Sequence, residues 1–343
     1  ELADVVLLTD GFAEFSPLIL ALQSHTDAVR DKWGSEISAS MPRPATQKQR
    51  DAHWSRQSLA AASLVHLGAA DEVWSLLDSS SDPSLRNLII RRFGELRVNP
   101  ELRAARLEIE DVAPKREALI QSFGSQDPEQ IRLPVRNRII VRLHDLYVSD
   151  PDPGVHSSVL WTLRKWGSVL PEIPDDASSL SAVRRANGWD EARRWYVNSQ
   201  NQLMVIIPRP PDGEERGVAY DFAIASHEVT VNEFQRFRRQ HNVNRVMAPS
   251  DDCPVHLVSW YLAAVYCNWL SEQDAIPEDQ WIYERNADGA YLHGMTIKED
   301  FRTLKGYRLP TESEWEIACR AGTSTRYSFG EPLSLMHFYG QNS

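Results

Sequence analysis

The 343-residue sequence has few cysteines, fewer basic than acidic residues and no long apolar run. Cys253, Cys267 and Cys319 are an odd number, spaced by 14 and 52, with no C-x-x-C pair. That spacing excludes a cysteine zinc site and a disulfide-stapled scaffold. Lys plus Arg number 37 against 48 Asp plus Glu, a net charge of −11, so the overall field disfavours phosphate backbones and nucleic acid is not an expected partner. No apolar stretch approaches the roughly 18–20 residues that cross a bilayer, and no membrane segment is expected. The opening ELADVVLLTDGF has neither a basic n-region nor an apolar h-region. A start at Glu1 is expected of a chain that has lost a leader or is a piece of something longer, which leaves the compartment open. Catalytic signatures are also missing: there is no Gly-x-Ser-x-Gly elbow, phosphate-binding glycine loop or kinase catalytic loop, and His227-Glu228 has no second His at helical spacing.

What is present is an ordinary globular composition, 42% apolar and 25% charged with 11 tryptophans, over a length that accommodates two domains. Four segments of the N-terminal half share a pattern: AASLVHLG, SLRNLIIRRFG, KREALIQSFG and SSVLWTLRKWG, ending at Gly68, Gly94, Gly124 and Gly167. Each has apolar residues at helical spacing and closes on glycine, which predicts a left-handed C-terminal cap, with Arg91, Arg92, Arg164 and Lys165 complementing the helix dipole. Ser81-Asp82-Pro83, Ala113-Pro114 and Asp152-Pro153 predict helix starts, because a proline in the first turn lacks only an N–H that has no helical partner. The glycines are 26, 30 and 43 apart, within the range of helical-hairpin repeats. Residues 1–170 are therefore expected to form a HEAT-like α-solenoid or an irregular helical bundle. Scattered His25, His53, His66, His144 and His156 are expected to be structural. Residues 171–194, rich in Pro, Ser and acids, read as a linker.

From Trp195 the pattern changes to a mixed α+β domain. WYVNSQNQLMVIIP predicts a hairpin turning on residues 198–201, and YDFAIASHEV a further strand. Thr230 and Glu233 form a capping-box pattern ahead of a helix, and CPVHLVS predicts a short strand. Ser259 is placed to cap WYLAAVYCNWLSEQ, whose Tyr261, Val265 and Trp269 predict the buried stripe. WIYERNADGAYLHGM predicts a hairpin around Asp288-Gly289, a reading that outweighs calcium ligation by Asn286 and Asp288 because six or more oxygens would be needed. In GYRLPTESEWEIACRAG, Thr311 and Glu314 form another capping box, Arg308 and Pro310 lie in the extended approach, and Trp315 and Ala318 are expected to face inward.

EVTVNEF, CPVHLVSWYLAAVYCNWLSE and YRLPTESEWEIACRAG, in that order, resemble the first half of the formylglycine-generating enzyme family, also called the sulfatase-modifying-factor domain. The resemblance covers roughly Trp195 to Ser343. It implies a modified C-type-lectin fold for residues 195–343, incomplete at the C-terminus. In founding members it implies oxidation of a sulfatase cysteine to formylglycine by oxygen and a copper(I) ion held by two cysteines. That cysteine pair and the family's Gly-Asn-Val-Trp-Glu-Trp-like segment map to no residue here, so no catalytic, cofactor or metal residue is assigned. Copper and calcium are expected only with a further C-terminal half. The three cysteines match packing positions of the family. Its usual Met-Gly-Ser stretch is missing between Ile207 and Tyr220, and Leu262 stands where many relatives carry an acid. Thr230, Glu233, Ser259, Trp260, Arg308, Pro310, Thr311, Glu314 and Trp315 are the matched structural positions. The QWIYERNADGAYLHGM insertion and the preceding helices further resemble large bacterial proteins that join a Ser/Thr kinase to helical repeats and such a domain. Three functions follow as expectations: a non-catalytic binding or scaffolding module for a protein or peptide partner, a copper-dependent formylglycine-forming oxidase, and the sensory region of a bacterial Ser/Thr kinase that includes this chain.

Overall fold

The structure, a computed structural model, describes residues 1–173, 193–211 and 217–339. Most of the expected linker, residues 171–194, lies outside the described residues. Two compact units are present: Glu1–Glu172 together with Cys319–Ser343, and Ile173–Ala318.

In the first unit the helices are α1 (Leu2–Val6), α2 (Phe12–Leu22), α3 (Thr26–Ser38), α4 (Gln47–His66), α5 (Ser84–Glu95), α6 (Pro100–Ile109), α7 (Ala113–Gly124), α8 (Leu133–Ser149) and α9 (Pro153–Lys165). Their starts are specified locally. Thr46 and Gln49 close a capping box on α4, Asn99 accepts from Glu101 N–H, and Asp152 accepts from Gly154 and Val155 N–H. Prolines occupy the first turns of α6 to α9. Helices α4, α5, α7 and α9 pack one on the next, while α3 backs α4, α6 backs α7 and α8, and α8 backs α9. The four glycine-terminated segments are thus the consecutive helices of one layer.

Only two of those glycines serve the expected purpose. Gly68 and Gly167 adopt φ +79° and +64° just beyond α4 and α9, the left-handed conformation that a Cβ disfavours. Gly94 and Gly124 instead lie within α5 and α7. A Cβ at Gly94 would come within 2.7 Å of Ser125 Cβ, and one at Gly124 would overlap the Trp161 ring. These two glycines set the distance between neighbouring helices. The interior between them is apolar: Leu64, Val65, Ile89, Phe93, Leu119, Phe123, Val159 and Leu163 are all essentially inaccessible. One charge is also buried there. The Arg103 guanidinium bonds Val98 O, Ser122 Oγ and Gln126 Oε1 and lies over the Phe123 ring, and burial pushes its pKa down to about 9.

The second unit opens with strands β1 (Trp195–Val197), β2 (Leu203–Ile207) and β3 (Phe222–Ala225), antiparallel in the order β1-β2-β3. Trp195 faces Val205, which faces Ile224. The hairpin turn is held by Asn198, whose Oδ1 accepts from Gln200 and Gln202 N–H. Helices α10 (Val231–Phe237) and α11 (Trp260–Gln273) follow, then the two-residue pair β4 (Tyr283–Glu284) and β5 (Thr296–Ile297) and helix α12 (Glu312–Arg320). The chain is therefore α+β, helical in its first half with small sheets after it.

Three local expectations are corrected. CPVHLVS forms no strand: apart from an isolated bridge between Thr230 and Pro254, its polar groups are taken by a loop, where the His241 ring bonds His256 O and the His256 ring accepts from Asn244 N–H. Leu257 there sits at φ +59°. On α11 the buried apolar residues are Ala264, Tyr266, Cys267 and Leu270, not the 261/265/269 stripe. Tyr266 reaches Phe234 and Phe237 of α10, while Ala264 and Cys267 meet Ile282 and Tyr283. The helix is covered from two sides, so one amphipathic stripe does not describe it. Finally, Trp315 faces outward.

Candidate functional site

The most organised polar centre of the second unit lies where the extended approach enters α12. Pro310 is exposed and precedes Thr311, which caps the helix. Thr311 Oγ1 accepts from Glu314 N–H at 3.3 Å, and Glu314 Oε2 accepts from Thr311 N–H at 2.8 Å. The Glu314 carboxylate also receives both arms of the Arg308 guanidinium, at 2.7 and 2.5 Å, and the Tyr220 hydroxyl at 3.0 Å. Its side chain is 1% exposed. Burial alone would raise its pKa, but the Arg308 bonds and the Thr311 amide outweigh that and hold it at about 2. A carboxylate so placed is ionised, saturated with donors and unable to act as a proton acceptor near neutrality.

Around this centre the other matched positions also do structural tasks. Thr230 N–H donates to Glu233 Oε2 at 2.8 Å and Glu233 N–H to Thr230 Oγ1 at 3.2 Å, starting α10. Ser259 Oγ accepts from Leu262 N–H at 3.2 Å and starts α11; Leu262 returns nothing to the cap. Trp260 is 46% exposed and meets Tyr261 and Tyr283 edge-on. Trp315 is 58% exposed while its neighbour Glu314 is buried. The inward position at this turn belongs to the ion pair, and the adjacent residue on the helix necessarily points away from it.

Several residues that sequence reasoning passed over hold the centre in place. Tyr220 bonds Glu314, with no local pattern to announce it. Tyr307 packs against three separate apolar clusters, donates its hydroxyl to Asp274 Oδ2 at 2.5 Å and its N–H to Ser271 Oγ at 2.8 Å. Asn268, buried in α11, donates to Tyr283 O and Tyr291 Oη. The preceding glycine was the available signal for Tyr307: a Cβ on Gly306 would lie 2.7 Å from Gln280 O, so the backbone approach that seats Tyr307 requires it.

The cysteines do not fit a copper(I) centre. Cys267 is packed among Ala264, Ile282 and Tyr283, with no second cysteine in that cluster, and burial raises its pKa to about 12. Cys253 contacts Ser250 Oγ, and Cys319 is exposed. Among the described residues no group of three or more His, Cys, Asp or Glu side chains could hold a metal ion. Asn286 Oδ1 accepts from Asp288 and Ala290 N–H, stabilising the turn in which Gly289 adopts φ +75°. Among the described residues no helix is long and apolar enough to cross a membrane.

No curated protein and no solved structure matches the chain. Residues 198–341 match the family model of the sulfatase-modifying factor enzyme 1-like domain, the stretch that holds the capped helices α10 to α12 and the Arg308–Glu314 pair. This part of the chain is therefore a domain of that family, with a helical region ahead of it.

Proposed function

We propose that the chain is a binding or scaffolding module for a protein or peptide partner. A HEAT-like helical-repeat domain over residues 1–170 is joined through residues 171–194 to a family domain over 195–343 that works without catalysis. The observation that carries this reading is the saturation of Glu314: the family motif's best-placed acid is fully consumed by Arg308, Thr311 and Tyr220. Stacked helical hairpins expose long faces suited to partners. In the second unit Val246, Met247, Leu257, Trp260 and Trp315 offer apolar surface.

The family name supports a second reading, oxidation of cysteine to formylglycine. One experiment separates them. The full chain is immobilised for selection from a displayed peptide library, and in parallel is loaded with copper(I) and given a sulfatase-type cysteine peptide under oxygen. Selected peptides that bind with no loss of the cysteine thiol are expected. Copper-dependent appearance of the aldehyde overturns the non-catalytic reading.

A further inference from the structure

Helix α5 carries Ser84, Asn87 and Arg91 at spacings of three and four, which places them in one row along the helix. All three bond the main chain of one segment. Ser84 Oγ accepts from Glu331 N–H at 2.9 Å, Asn87 Nδ2 donates to Phe329 O at 2.9 Å, and Arg91 Nη1 donates to Ser334 O at 3.3 Å. Just before the helix, Ser81 O accepts from Ser324 N–H at 2.9 Å. Gly330 sits at φ +114°, and a Cβ there would approach Ser84 Cα to 2.8 Å, so glycine is required at the point of closest passage.

The anchors are few. Leu335 is completely buried against Trp54 of α4 and Leu88 of α5, with Met41, Leu85 and Phe329 around it. The Arg91 guanidinium covers the Phe338 ring at 4.1 Å. The segment's own regular structure is a turn closed by Gly330 N–H on Tyr327 O, one 3₁₀ turn, Leu333–Leu335, and one helical turn, α13 (Met336–Tyr339). A row of helix side chains reading a backbone, with a socket for one large apolar residue, is the arrangement by which a groove takes a linear peptide.

We propose that the α4–α5 face is a recognition site for a linear peptide that turns at an aromatic-glycine pair and places a leucine five positions after the glycine. The chain's own Tyr327–Phe338 segment fills it and blocks it to other peptides. This rests on the reading of the chain as a binding module and names its site. Because the occupant is tethered, its effective concentration far exceeds that of a free peptide, so the site opens to competitors when the internal anchor is weakened. Local opening of such a segment needs less than global unfolding, since one fully buried side chain and a few main-chain bonds hold it.

The test uses the full chain and a fluorescent synthetic peptide with the sequence of residues 326–339. Anisotropy should show the peptide binding a Leu335→Asp chain at least tenfold more tightly than the unaltered one, and adding Asn87→Ala should reverse most of that gain. Equal affinity for both chains, or no binding to a Leu335→Asp chain that keeps its helical circular dichroism, overturns the proposal. If Leu335→Asp does not fold, hydrogen exchange on the unaltered chain decides. Amides of residues 329–335 are expected to exchange at least tenfold faster than those of Phe93 and Phe123. An equal rate would make the segment an integral part of the core and overturn the proposal. A dimer with exchanged segments, seen by light scattering, would overturn the intramolecular assignment. A library peptide whose binding is indifferent to Leu335→Asp would leave the binding module standing and remove this site from it.

Discussion

The helical stack and the sulfatase-modifying factor enzyme 1-like domain reach a single conformation by different means. The stack is held by apolar side chains from successive helices, spaced by Gly94 and Gly124, and its helix starts are set by local caps and prolines. The family domain has two small sheets and short helices, and beside its small apolar clusters it relies on polar groups with assigned partners: Asn198 in its turn, Asn268 between α11 and β4, half-buried Asp274 bonded by Tyr307, and Glu314 between Arg308 and Tyr220. Packing is tolerant of composition and intolerant of lost volume, whereas a buried polar network is intolerant of a single missing partner. The two regions should therefore fail under different perturbations.

The largest effect is expected in the stack. Phe123 is fully buried, meets Trp166 edge-on and lies beneath Arg103. Phe123→Ala should cost about 3–5 kcal/mol by transfer and cavity terms together. Urea titration monitored by circular dichroism checks this, and the cost should be nearly independent of pH between 4 and 8, because among the described residues the Arg103 guanidinium bonds only neutral groups, Val98 O, Ser122 Oγ and Gln126 Oε1. A loss below about 1 kcal/mol would mean that the layer does not depend on close packing.

The domain's counterpart is Glu314→Gln, and its effect should depend on acidity. In the folded chain the carboxyl is held at about 2 against an ordinary value of 4.5, so on acidification the unfolded chain takes up the proton first. Its contribution is fully present above pH 4.5 and is lost as pH falls from there towards 2. The shift corresponds to on the order of 3 kcal/mol. Glu314→Gln should lose a comparable amount near neutrality, because it leaves the Arg308 charge buried without its partner. Stability of the variant should then fall less than that of the unaltered chain across this acidic window, the remainder coming from other paired carboxylates such as Glu36 with Arg56. A parallel decline in both chains would show that the pair does not govern acid stability.

Next in size is the cap. Thr311→Ala removes the acceptor for Glu314 N–H while leaving the ion pair, and should cost about 1 kcal/mol. Comparison with Thr230→Ala, which breaks the equivalent bond at α10, sharpens the point. If the Thr311 change costs several times more than the Thr230 change, the cap and the ion pair form one coupled unit, and a double substitution with Glu314→Gln would show the non-additivity.

These contrasts also explain what the sequence could disclose. The glycine-closed helices of the stack were legible because their signals are local: Ala113 with Pro114, Asp152 with Pro153, and apolar residues at helical spacing; the Thr46–Gln49 box that starts α4 is equally local but was not read. The two capping boxes and the Asn198 turn were legible for the same reason. Gly94 and Gly124 were misread because a glycine near a helix end looks the same whether it serves φ or a neighbour; the neighbours are Ser125, just past the end of α7, and Trp161 of α9. CPVHLVS looks like a strand, but its pairing with Val229–Val231 ends after one bridge, and beyond it His256 bonds the 241–244 loop. Tyr220 lies 94 residues from Glu314, and no periodicity connects them.

The smallest expected effect is at Trp315, where the correction is greatest. Periodicity puts this tryptophan inside, and a core tryptophan replaced by alanine would cost about 3–5 kcal/mol. Its side chain is instead more than half exposed, one position beyond the buried carboxylate that anchors the helix. Substitutions at exposed positions away from caps and networks usually stay within about 0.5 kcal/mol, so Trp315→Ala should leave the denaturation midpoint nearly unchanged. The same variant bears on function. An exposed indole contributes little to folding but is well suited to a partner, since it presents a large apolar surface at small entropic cost. Binding of a library-selected peptide lost in Trp315→Ala at unchanged stability would place the partner on the family domain. Binding retained there but altered by Leu335→Asp would place it on the α4–α5 face.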